Sequence, residues 1–138
     1  MPECILRIAA SKQKIKAFLP RSKSIKPYSV LFKGTPVNSQ SFRIARETGI
    51  KVLVSMADGD LKAQASDAVR FLRRHAADLK VLMELLGPGH MRLDFGLWDK
   101  ATEERPWPTY QLPHRLITEA GRYGCEIELS FYGAAQGE

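Results

Sequence analysis

Residues 90–99 read HMRLDFGLWD, and the alternation within them decides the fold. In an extended chain Met91, Leu93, Phe95 and Leu97 share one side, while Arg92, Asp94 and Trp98 share the other. Strands covered on both faces read as continuous apolar runs, so this pattern predicts a sheet with one packed face and one wet face. The same period recurs at both ends of the chain. In ECILRIAA (residues 3–10), Cys4, Leu6 and Ile8 oppose Glu3, Ile5 and Arg7. In CEIELSFY (residues 125–132), Cys125, Ile127, Leu129 and Phe131 are expected inside, with Glu126, Glu128 and Ser130 outside.

Helical periods separate these strands. From Leu61 to Leu86, apolar residues at Leu61, Ala65, Ala68, Leu72, Ala76, Leu79, Leu82 and Leu86 form one stripe. Asp58 or Asp60 can cap its start, and Gly87 supplies the stop. An unbroken helix of that length would run about 39 Å. A small domain has a radius of gyration of only about 14 Å, so a bend or break near His75 is expected. Ser11 can cap a short helix through KQKIKAFL, which Pro20 should end. A helix after Pro113 should end near Gly124. KPYSVLFKG (26–34) reads as a strand with Tyr28, Val30 and Phe32 on one face and Ser29, Leu31 and Lys33 on the other. SFRIARETGIKVLVSM (41–56) reads as two strands around a turn, with Phe42, Ile44, Ile50, Val52 and Val54 inward.

The order is β-α-β-β-β-α-β-(β)-α-β. It predicts a single α+β domain over residues 1–138, related to ferredoxin-like folds, with a mostly antiparallel or mixed sheet and helices on one face. The length suits one domain and needs no disulfide or metal staple. No apolar run is long enough for a membrane span, and the first residues lack the pattern of a secretory signal. Cys4 and Cys125 are too few for a disulfide framework. A reduced cytoplasmic protein without membrane attachment is expected.

The stretches KPYSVLFKG, TGIKVLVSMAD, MRLDFGLW and GRYGCEIELSFYG, in that order, resemble a family of small uncharacterised bacterial proteins, a domain of unknown function. The likeness rests on Lys33-Gly34, the Gly49 turn, Leu93-Asp94-Phe95-Gly96 and the final helix–Gly–strand ending in Tyr132. The resemblance implies an α+β fold and bacterial origin, and carries no catalytic residues or cofactor. Some small domains of this kind are suspected partners or antidotes of toxins, which is an analogy of fold only.

The net charge of +6 is uneven. Residues 1–51 hold eleven Lys and Arg against Glu3 and Glu47, a balance of +9; the remainder holds ten against thirteen, a balance of −3. Lys12, Lys14, Lys16, Arg21, Lys23 and Lys26 could contact phosphates, with Phe18 and Tyr28 as stacking platforms. However, Ile15, Phe18 and Leu19 have the spacing of a buried stripe, and Tyr28 shares a predicted face with Val30. Both aromatics are therefore expected in the core, and polyanion binding takes second place.

No P-loop, nucleophile elbow, dinucleotide fingerprint or zinc-protease helix is present. His75, His90 and His114 lack the close spacing of metal pairs, so neither metal nor cofactor is expected. Asp94 is the one candidate general base, near Glu126 or Glu128 on the wet face. A cross-strand ladder with Arg7, Lys33, Arg43, Lys51 and Arg92 is the preferred reading of the same residues. In EERPWPTY (103–110), prolines stiffen the chain around Trp107, which lowers the entropy lost on binding. With Trp98 and Tyr110 it forms the favoured surface for an unknown protein partner or a homodimer. A non-catalytic interaction module is the leading reading, ahead of nucleic-acid binding and of an enzyme using Asp94.

Overall fold

The computed structural model describes residues 2–38, 42–99, 101–104 and 106–133. Among them, strands β1 (Cys4–Ala9), β2 (Ser29–Leu31), β3 (Gly49–Ser55), β4 (Met91–Trp98) and β5 (Cys125–Tyr132) form one sheet in the order β2-β3-β1-β4-β5. β1 runs antiparallel to β3 and β4, β2 runs antiparallel to β3, and β5 lies parallel to β4. The first four strands thus share the split β-α-β arrangement of ferredoxin-like sheets, and a further helix and strand extend them beyond β4. Parallel neighbours need a crossover connection, here supplied by a helix.

Helix α1 (Lys12–Phe18) follows β1, α2 (Leu61–Arg74) and α3 (Ala76–Leu86) link β3 to β4, and α4 (His114–Arg122) links β4 to β5. All bury their apolar sides on one face of the sheet. Cys4, Leu6, Ile8, Ile50, Val52, Met91, Leu93, Phe95 and Leu97 meet Ile15, Phe18, Ala65, Leu72, Leu79, Leu82 and Leu116 in one cluster. Each large side chain so buried contributes roughly 1.5–3 kcal/mol.

The caps follow the sequence. Ser11 accepts from the Lys14 amide and Asp60 from those of Lys62 and Ala63. The long stripe breaks at His75, separating α2 from α3. Gly124 takes φ +65° past α4, a left-handed geometry that costs glycine least. At the start of β1 a register shift pairs Cys4 with Ser55 but Ile5 with Leu53.

The first α-helix ends at Phe18, just before Pro20 as expected, and a 3-10 turn over Leu19–Arg21 carries the chain past the proline, a place where its missing amide costs little. Three expectations need correction. Of the strand expected from Ser41, Ser41 lies outside the described residues. The rest makes only an isolated bridge, Ile44 to Pro36, in a small arm outside the sheet. Phe42 and Ile44 are consequently exposed rather than inward. Tyr28 is also exposed, at 55%, because β2 begins after it and spans only three residues. Finally, Phe131 is exposed, and Cys125, Ile127 and Leu129 are half-buried, because β5 is an edge strand. Among the described residues no helix is long and apolar enough to cross a membrane.

Candidate functional site

The uncovered face of the sheet carries Arg7, Lys51, Arg92, Asp94, Glu126 and Glu128. Register places Arg7 beside both Lys51 and Arg92, and Asp94 beside Glu128. Like charges thus face one another directly across strands, an unfavourable arrangement. Diagonal pairs relieve it. Arg7 Nε donates to Asp94 Oδ2 at 3.0 Å, and Arg92 Nη1 to Glu128 Oε2 at 3.1 Å. Ser130 Oγ donates to the other Asp94 oxygen at 2.6 Å. Asp94 is only 6% exposed, so both carboxylate oxygens are occupied in a nearly dry position. That arrangement fits the cross-strand ladder better than a general base, which needs a free oxygen within reach of a substrate proton.

Trp98, Trp107 and Tyr110 do not form one cluster. Trp98 is half-buried, and its indole lies against Gly59, where an added Cβ would fall 2.2 Å from Cδ1. Its Nε1 donates to Asp58 Oδ1 at 3.0 Å. The Tyr110 hydroxyl reaches the Trp98 carbonyl at 3.4 Å, and its ring packs on Phe131 at 5.3 Å between centroids. Trp107 stands apart, 81% exposed. A groove of about 940 Å³ runs beside Tyr110, between the start of α2 at Asp60–Lys62 and the segment from Pro108 to His114.

Phe131 was the member of this surface hidden from sequence reasoning. Its alternation assigned it to the core, and only the edge position of β5 exposes it. The edge also has a defined polarity. The Tyr132 carbonyl accepts from Asp99 and the Gly124 carbonyl from Gly89, so the even-numbered residues of β5 turn their backbone groups toward β4. Those of Ile127, Leu129 and Phe131 therefore point away from the sheet.

The six N-terminal cations Lys12, Lys14, Lys16, Arg21, Lys23 and Lys26 are all exposed, and none forms an ion pair with another described residue. Lys12 and Lys16 place their ammonium groups 5.4 and 5.8 Å from the Phe32 ring. Phe18 is buried as expected; Tyr28 is not. Burial raises the Tyr28 phenol above its ordinary pKa, as do Glu3 and Asp94, against the opposing pull of Arg7.

The loop over residues 22–25, which carries Lys23, is pinned by Asp78, a buried carboxylate on α3. It accepts from the amides of Lys23, Ser24 and Ile25 at 2.8–3.1 Å, and the Ser22 and Ser24 hydroxyls lie 3.1 and 3.3 Å away. Burial alone would raise its pKa. The amides of Ile25, Lys23 and Ser24 and the Ser22 hydroxyl outweigh that and hold it down at about 2. The Ser24 hydroxyl also meets His75 Nδ1 at 2.7 Å. Burial, then the neighbouring Arg74, lowers the His75 pKa, while Asp78 opposes both.

Cys4 is buried and Cys125 half-buried, both as free thiols; burial raises both pKa values, that of Cys125 to about 11. Thiols so shifted are poor nucleophiles at neutral pH. Among the described residues no three His, Cys, Asp or Glu side chains converge as metal ligands. No family model matches the chain, and no curated protein or solved structure matches it.

Proposed function

We propose that this chain is a non-catalytic interaction module of the bacterial cytoplasm that associates with a second copy of itself along β5. The supporting observation is the open edge of that strand, whose apolar residues are half-exposed while Met91, Leu93, Phe95 and Leu97 of neighbouring β4 are buried. Two β5 strands running antiparallel about a two-fold axis at Leu129 would place Leu129 opposite its own copy and Ile127 opposite Phe131. These are the residues whose backbone groups point outward, so hydrogen-bonded pairs and apolar pairs coincide. Glu126 would then face Tyr132, and Glu128 would face Ser130. A register centred on Glu128 would instead oppose two carboxylates, which disfavours it. Tyr110 packs against Phe131 and reaches the Trp98 carbonyl; Trp107 would reach the partner as a separate exposed anchor.

Phe131→Pro tests this pairing. It removes an outward amide that β4 does not use, a change tolerated at a sheet edge. Sedimentation velocity across a concentration series should show reversible dimers of the native chain and monomers of the variant, both folded by circular dichroism. A native chain that stays monomeric, or a variant that dimerises equally, refutes the reading. Trp107→Ala should weaken association without abolishing it.

A second reading, polyanion binding through Lys12, Lys14, Lys16, Arg21, Lys23 and Lys26, gains support from the exposure of Tyr28. Fluorescence titration against DNA and RNA at two salt concentrations checks it. Binding indifferent to substitution of Lys12, Lys14 and Lys23 would remove it.

A further inference from the structure

Two adjoining hollows of about 550 and 360 Å³ lie where β1 and β3 meet the chain before β3 on the uncovered face. Both are lined by Arg7, Ala9, Arg46, Glu47 and Thr48, so they form one cleft. Lys33, His90 and Arg92 close one end; Lys51, Leu31 and Gly49 line the other. The combined size falls within the roughly 300–1,000 Å³ usual for small-molecule sites.

The charges divide into two kinds. Arg7 and Arg92 are tied to Asp94 and Glu128. Among the described residues, Lys33, Arg46 and Lys51 have no ion pair, and Glu47 is the only acid lining the cleft. The cleft therefore keeps a surplus of positive charge from Lys33, Arg46 and Lys51. Its central guanidinium is also held in place. Arg7 binds Asp94 through Nε, and Ser130 fixes Asp94 from the other side, which leaves the two terminal nitrogens of Arg7 for another acceptor. His90 is anchored through Nδ1 to the Ala9 carbonyl at 3.0 Å. The hydroxyl of Thr48 accepts the Lys33 amide at 2.9 Å, and its own proton remains to be donated.

We infer that this cleft binds a small molecule carrying a phosphate monoester. The phosphate would lie among Arg7, Lys33, Arg46 and Arg92, and the rest of the molecule over Leu31 and Gly49. A dianion with oxygens on several sides matches cations converging from several sides, and the neighbouring hollow gives room for a body beyond the phosphate. This site is separate from the β5 edge, so it stands whether or not the chain dimerises.

Amide chemical shifts on the full chain provide the test, with inorganic phosphate and glycerol 3-phosphate as probes. Saturable shifts should appear at Ala9, Ala10, Thr48 and Gly49, with glycerol 3-phosphate binding tighter than phosphate. The double variant Lys33→Ala/Arg46→Ala touches no ion pair with another described residue, and it should weaken binding by about tenfold or more. The equally charged control Lys14→Ala/Lys23→Ala should bind as the native chain does. Absence of saturable shifts at millimolar probe, or equal losses in both double variants, overturns the inference. So does a single-stranded oligonucleotide that binds the same amides more tightly than glycerol 3-phosphate, because the cleft would then be reading a polyanion.

Discussion

Replacing Asp78 by Asn preserves the side chain's shape and removes its charge from the acceptor site that organises residues 22–25. Three backbone amides converge on that carboxylate, which is 1% exposed. A carboxyl moved from 3.8 to about 2 contributes on the order of 2 kcal/mol at neutral pH, since each tenfold change in proton affinity is worth about 1.4 kcal/mol. The sign follows from the depressed pKa: the contribution is complete above the unfolded value and is lost as pH falls from about 4 through about 2. Urea unfolding of both proteins at pH 7 should therefore show Asp78→Asn less stable by about 2 kcal/mol. The gap should close as both are taken toward pH 2. Asp78→Ala should cost about 3 kcal/mol or more, because it leaves buried amides without any acceptor. A constant difference between the two proteins across that acid range, or a cost below about 0.5 kcal/mol at pH 7, would refute the reasoning.

Two further outcomes can be checked on the same apparatus. Gly59→Ala combines a left-handed φ of +66° with a Cβ placed 2.2 Å from the Trp98 ring; it should destabilise by about 2–4 kcal/mol and shift Trp98 fluorescence. A lowered His75 pKa means that the folded chain favours the neutral ring, so stability should drop as pH falls below about 6.5. His75→Gln should flatten that part of the stability–pH curve, and an unchanged curve would assign the slope elsewhere.

Much of the architecture was legible because it rests on local rules. Alternation in β1 and β4 assigned buried and wet faces, and the stripe from Leu61 to Leu86 gave both helices and their break. Ser11, Asp60, Gly87 and Gly124 marked boundaries through the geometry their residue types favour. Strand order was hidden, because alternation reports which side a residue faces and not which strand lies beside it. For that reason CEIELSFY and HMRLDFGLWD look equivalent in sequence, although one strand is an edge and the other interior. Apolar character does not bury Tyr28 and Phe42, because their segments reach the sheet briefly or not at all. Asp78 gave no signal: one acid on a helix reads as solvated, and its amide donors lie 53–55 residues earlier. The cationic cleft was equally hidden, since Arg7, Lys33, Arg46 and Arg92 meet only after β3 and β4 flank β1.

Amide hydrogen exchange at low and high protein concentration tests the β5 pairing most directly. Raising the concentration should slow exchange at Leu129, Ile127 and Phe131, while Glu128 and Ser130, already bonded toward β4, remain unchanged. Identical exchange of the three odd-numbered amides at both concentrations would contradict it.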